Sequence, residues 1–155
     1  MEKNNSNANG GIGRKIRNLF ASLLLRRLAG ALCQATQRSE RASDEILYAL
    51  PGVFSMEITA PCARITLIKE AGRLRIQDRS EKSDVLLTLC FHDLASVGDV
   101  VGRECTFQKA LAEGRMSFCG KTKHLNAIMR ASAFGDGEIL SAEEYLDLYG
   151  KNREE

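Results

Sequence analysis

Gly120-Lys121-Thr122 follows a strand-like segment and opens a helix-like one, which is where a phosphate-binding loop would lie. A P-loop needs its first glycine at position 115. That position holds Arg115, and Gly114 falls one place too early, so the shortened turn cannot wrap a triphosphate with backbone amides. Cys90, His92, Cys105, Cys119 and His124 are the side chains that could hold a metal. Tetrahedral zinc sites bring their ligands in paired short spacings, and apart from Cys90-x-His92 there is none. No G-x-S-x-G elbow is present for a nucleophilic serine. The adjacent acids Glu143 and Glu144 follow Ser141 as a helix start does, where the helix dipole favours carboxylates. These residues argue for a protein without catalytic chemistry, resident metal or cofactor.

The charge pattern is more informative. The 155 residues include 22 basic and 20 acidic side chains, yet seven of the basic ones fall between Lys3 and Ser39 with no acid among them. With Glu2 set aside, 15 basic residues face 19 acidic ones in the rest, so a strongly positive arm precedes a mildly negative body. Arg14, Lys15, Arg17, Arg26 and Arg27 flank apolar residues, a composition suited to an anionic membrane surface. The same arginines would be merely solvated if the helix packed on the protein's own sheet. Basic residues here are not interleaved with stacking aromatics, which argues against nucleic acid.

The longest apolar stretch, Leu19–Leu32, is interrupted by Arg26-Arg27 and falls short of the roughly 20 apolar residues that a transmembrane helix requires. It also lacks the features of an export or lipoprotein signal. Five cysteines, odd in number and with no C-x-x-C pair, fit a reducing compartment. The expected location is the cytoplasm, peripheral to a membrane where the basic arm engages one.

The elements that would position any site follow from periodicity. Residues 1–13, rich in Asn and Gly, are expected to be a disordered arm, and residues 14–38 a basic amphipathic helix. Ile12, Ile16, Leu19, Phe20, Leu23, Leu24, Leu28, Leu32 and Ala35 recur at steps of three and four, as on one helical stripe. A short helix over Ser39–Leu50 ends at Pro51-Gly52. Strands are expected over Val53–Ala60, Ala63–Glu70, Arg73–Arg79 and Asp84–Phe91, as an antiparallel meander. The near-continuous apolar run of the fourth implies cover on both faces. Helices follow over His92–Val101 and Thr106–Glu113, the latter closed by Gly114. Then come a brief strand over Arg115–Cys119, a helix over Lys121–Ala131, a loop at Phe134–Gly137 and a last helix from Ser141. The fold class is α+β: one five-stranded, mostly antiparallel sheet covered by helices, formed by residues 39–150.

Within Asp84–Ala131, five short motifs occur in order: Asp84-Val85, His92-Asp93-Leu94, Phe107-Gln108-Lys109-Ala110, Gly114-Arg115-Met116 and Gly120-Lys121. This ordered set resembles the sterol carrier protein type-two (SCP-2-like) lipid-binding domain, and the likeness covers about residues 45–131. Phe107 stands where that family has proline, and Lys121 where it has an acid.

The resemblance implies a non-enzymatic protein with an apolar tunnel between sheet and helices for a sterol, fatty acyl, phospholipid or isoprenoid-quinone ligand. It also implies a role as an accessory factor presenting lipid to a partner enzyme. Leu87, Leu89, Phe91, Leu94, Val97, Val101, Phe107, Leu111, Met116, Phe118, Leu125, Ile128 and Met129 are the side chains expected to line such a tunnel. The same residues would form a solid core in any α+β domain. A protein-interaction module that kept the fold and filled the tunnel is the alternative reading.

Overall fold

The computed structural model describes residues 2–78 and 83–135, with side chains from Gly11 onward. Ten elements follow in order: α1 (Glu2–Arg38), α2 (Glu40–Ala49), β1 (Ser55–Ala60), β2 (Ala63–Glu70), β3 (Arg73–Ile76), β4 (Leu87–Phe91), α3 (Leu94–Val101), α4 (Phe107–Ala112), β5 (Met116–Gly120) and α5 (Thr122–Gly135). The expected helix from Ser141, Glu143-Glu144 and the expected end of β3 at Arg79 lie outside the described residues.

The five strands form one sheet in the order β3-β2-β1-β4-β5. Three pairings are antiparallel, while β4 runs parallel to β1 with Met56 opposite Leu87 and Ile58 opposite Leu89. The four-strand meander is therefore corrected: after β3 the chain returns across the sheet and adds β4 to the free side of β1. Ser55 receives this return, its carbonyl accepting from Leu86 N at 2.9 Å and its hydroxyl donating to Asp84 O at 2.6 Å. The physical reason lies in burial. The apolar strand β4 gains most from a central position, whereas short β3, with arginines at positions 73 and 75, suits an edge.

Alternation along the strands sorts the two faces. Leu74, Ile76, Leu67, Met56, Ile58, Leu87, Leu89, Phe91, Phe118 and Met116 share one face by register. Thr66, Glu57, Thr59, Thr88, Cys90, Ser117 and Cys119 share the other. Cover on both faces of β4 is thus corrected as well: Leu87, Leu89 and Phe91 are buried, but Thr88 and Cys90 are half-buried on the polar face. Val85 and Leu86, which lengthened the apolar run in the sequence, precede the strand and are exposed.

Local signals place the helices. Ser39, extended at φ −133 and ψ 134, caps α2 by accepting from Ala42 N. Lys69 donates to the carbonyls of Leu47 and Leu50, each at 3.0 Å, and so closes the other end of α2. Asp93 caps α3 through Ser96 N at 2.7 Å, and Thr106 caps α4 through Lys109 N at 3.1 Å. Gly114, at φ 74, follows the C-cap Glu113 as its place in the sequence suggests. Helix α5 continues past the expected stop at Ala131 to Gly135, and the Arg41 guanidinium lies 4.5 Å from the ring centre of Phe134.

Helix α1 departs furthest from expectation. Its backbone is helical from Glu2, so no boundary of secondary structure falls at residue 13. No proline interrupts the segment, and extension from a packed C-terminal half avoids the cost of a new nucleus. Nor does it carry one stripe. Ala21, Leu25, Leu28, Leu32 and Ala35 are buried at steps of four, three, four and three. Ile12, Ile16, Leu19 and Leu23, at steps of four, three and four, remain 55–62% exposed, as does Phe20. Leu23 and Leu25 are two residues apart, roughly 200° around the helix, so the two stripes face nearly opposite directions. The C-terminal half packs on the sheet side against β2, β3, α3 and α5. Residues 11–20 are exposed all round.

Candidate functional site

The thirteen expected tunnel residues come from β4, α3, α4, β5 and α5. Leu87, Leu89, Phe91, Val97, Phe107, Met116, Leu125, Ile128 and Met129 are buried in one continuous apolar cluster. Val101, Leu111 and Phe118 are half-buried against it, whereas Leu94 is half-buried outside it. Alternation on β4 and β5 aims their members at the helices, with Phe91 and Phe107 rings 6.3 Å apart. Buried Gln108 donates to Met129 O at 3.2 Å and ties α4 to α5. Arg115 donates to Ser96 Oγ at 2.9 Å and pairs with Asp99, fixing α3 beside the start of β5.

The thirteen residues left out the roof of this layer, although packing of the N-terminal helix on the sheet was one of the two readings of its charge pattern. Leu25, Leu28, Ala29, Leu32 and Cys33 of α1 belong to the same cluster, as do Phe54, Met56, Ile58, Leu67 and Leu74 from the sheet side. The signal was available as the second period on α1, carried partly by small alanines. Burial raises the Cys33 thiol to about 11, so this thiol stays protonated near neutrality. A groove of about 360 Å³ lies elsewhere, between α2 and α5, and is lined by Asp44, Glu45, Tyr48, Ala49 and Arg130. It contains none of the thirteen residues. Glu45 and Arg130 meet within it at 2.9 Å.

Arg14, Lys15, Arg17, Arg26 and Arg27 are all exposed. Helix geometry sets Lys15 and Arg17 to either side of the exposed apolar stripe, with Arg27 continuing its line. The projecting half of α1 thus presents apolar side chains bordered by cations. No described helix is long and apolar enough to cross a membrane.

The residues considered for chemistry do not converge. Among the described residues no three His, Cys, Asp or Glu side chains gather as a metal site. Cys33 and Cys105 are buried while Cys62 and Cys119 are exposed. His124, at 4% exposure, packs edge-on against Phe54 with ring centres 5.5 Å apart, and its Nδ1 is buried without a hydrogen-bond partner. Desolvation lowers its pKa first, with Lys123 and Lys121 adding to the effect.

The stability consequence has a definite sign. A histidine that resists protonation in the folded state contributes its full stability above the unfolded pKa of about 6.5, and loses it as pH falls below that. Unfolding free energy is expected to fall as pH drops below about 6.5, by at most about 1.4 kcal/mol per pH unit. A second loss is expected below about pH 4, because the bond from Ser96 holds the Asp93 carboxyl below its ordinary value. Urea titrations across pH, with His124→Phe as reference, check this: the variant should lose the upper decline and keep the lower one.

No family model matches the chain, and no curated protein matches it either. Among solved structures, it is similar to the ubiquinone synthesis protein UbiJ-SCP2, with 12% identity and a TM-score of 0.47 over 74% of this chain and 94% of that one. It is similar to sterol carrier protein 2 from Yarrowia lipolytica, with 13% identity and a TM-score of 0.40 over 81% and 91% of the two chains. A stereoselective inverting sec-alkylsulfatase from a Pseudomonas species is similar at 14% identity and a TM-score of 0.44, covering 61% of this chain. This chain spans 14% of that enzyme's length.

Proposed function

We propose that this chain is a non-enzymatic lipid-binding protein that docks on anionic membranes through α1 and presents its lipid to a partner enzyme. The ligand is of the sterol, fatty acyl, phospholipid or isoprenoid-quinone class, held between the sheet and helices α3, α4 and α5. The observation that carries this reading is the division of α1: its C-terminal half covers the apolar layer, while its N-terminal half displays an unpartnered apolar stripe edged with cations. Contiguous exposed apolar side chains on this scale mark a docking surface. The absence of acids between Lys3 and Ser39 selects an anionic one over a second copy of the same helix. Each ligand methylene transferred into the layer would contribute roughly 0.8 kcal/mol, so an alkyl tail of ordinary length supplies ample binding energy.

One observation favours the second reading, a protein-interaction scaffold with a filled layer: Leu25, Leu28 and Leu32 of α1 already occupy the helix side of that layer. The two readings part under native mass spectrometry of protein purified without detergent and then incubated with vesicles of mixed membrane lipids. A bound lipid of stoichiometric mass is expected. A chain that stays lipid-free before and after incubation rejects the carrier reading and leaves the scaffold.

A further inference from the structure

The geometry points to α1 as the lid of the apolar layer, lifted when its projecting half docks on an anionic bilayer. This inference rests on the carrier reading above and adds the means by which a closed layer admits its ligand. Three features of α1 support it.

The lid is one rigid element with two apolar faces. Its C-terminal half closes the layer through Leu25, Leu28, Leu32 and Cys33, all buried, and its N-terminal half holds the exposed stripe. A continuous helix transmits force along its length, because bending it breaks backbone hydrogen bonds. Whatever grips Ile12 to Leu23 therefore acts on the roof.

The attachments differ between α1 and its neighbour. Helix α2 is pinned by polar bonds: Ser43 Oγ donates to Gly72 O at 2.8 Å, Lys69 holds the Leu47 and Leu50 carbonyls, and Arg130 meets Glu45. Among the described residues, the side-chain hydrogen bonds of α1 stay within it, from Thr36 to Cys33 O and from Arg38 to Gln34. Apolar contact holds α1 to the sheet, and this is the one kind of contact that a lipid tail can replace without leaving a polar group unpaired.

A hinge stands in the right place. Only Ser39 separates α1 from α2, and its extended backbone is the sole break between the two helices. Rotation there would swing α1 while α2 stays fixed.

Cys33 is a built-in reporter of the lid, being 9% exposed in its roof, while Cys105, 5% exposed between α3 and α4, reports on the rest of the core. The unmodified chain is labelled with a neutral maleimide alongside vesicles of phosphatidylcholine mixed with phosphatidylglycerol, or of phosphatidylcholine alone. Modification of each cysteine is followed by peptide mass, and vesicle binding by flotation. Labelling of Cys33 is expected to rise about tenfold or more with the anionic vesicles, with Cys105 still protected, because opening is local. Unchanged Cys33 labelling on protein that floats with the vesicles overturns the lid and leaves the docking intact. Cys33 and Cys105 rising together overturns it too, as general loosening. Protein that does not float overturns both lid and docking, while the question of a bound lipid is decided separately by native mass.

Discussion

Gly120→Ala is expected to destabilise the protein by about 3–4 kcal/mol, among the larger effects a single methyl group can have. Gly120 sits at φ +130, where only glycine is at ease, and it ends β5 opposite Leu87. An added Cβ would press on the carbonyl oxygen of Leu86 and lie 3.2 Å from Leu87 Cα, both backbone atoms that cannot turn aside. Relief would require separating β5 from β4, which would disturb the Leu87 and Leu89 side of the apolar layer. Gly114→Ala isolates the conformational part: φ is +74 there, and the new methyl meets nothing within 4 Å. That variant should lose only about 1–2 kcal/mol. Urea midpoints at constant slope measure both. Equal losses in the two variants would mean that the β4–β5 approach contributes nothing.

Gly120 also illustrates what a linear sequence can disclose. Its place between an alternating segment and a helical one made it a turn glycine, and β2 begins and ends where alternation and the flanking Pro61-Cys62 and Ala71-Gly72 turns set it. Such features depend on neighbours in the chain. The parallel partnership of β1 and β4 depends instead on segments some thirty residues apart, and alternation tells which face a residue takes without telling which strand lies beside it. The members of the candidate site were largely legible, because burial of Leu87, Leu89, Phe91, Met116 and Leu125 follows from their periods. Their roof was not. On α1, Leu23 and Leu24 bridge two stripes in different phases, and reading both as one hid the alanine-bearing stripe that packs and the bulkier stripe that does not. Two apolar faces on opposite sides of a helix cancel in any average over its length. The exposure of Ile12, Ile16, Leu19 and Leu23 depends on tertiary packing, which periodicity alone does not carry.

The second large effect concerns that exposed stripe. Ile16→Glu combined with Leu19→Glu is expected to reduce binding to phosphatidylglycerol-containing vesicles by at least about a hundredfold, since it forfeits the transfer of two apolar side chains into the bilayer and adds two repelled charges. Both residues are 62% exposed, so urea stability should stay within about 0.5 kcal/mol of the parent. Changing Arg14, Lys15, Arg17, Arg26 and Arg27 together to Gln should weaken the same binding comparably, at about 1 kcal/mol for each charge near the surface. The two variants differ in how salt acts on them. Screening shortens the reach of charges to about 8 Å at physiological ionic strength, so binding by the parent should fall as salt rises. The residual binding of the glutamine variant, driven by the stripe alone, should hardly respond. Binding that survives the glutamates would mean that the stripe does not touch the bilayer. A chain that sediments as a dimer until the glutamates split it would assign the stripe to a second copy instead. That outcome would require two helices, each with seven cations and no acid from Lys3 to Ser39, to overcome their mutual repulsion. An anionic surface meets no such opposition, because every charge bordering the stripe then attracts.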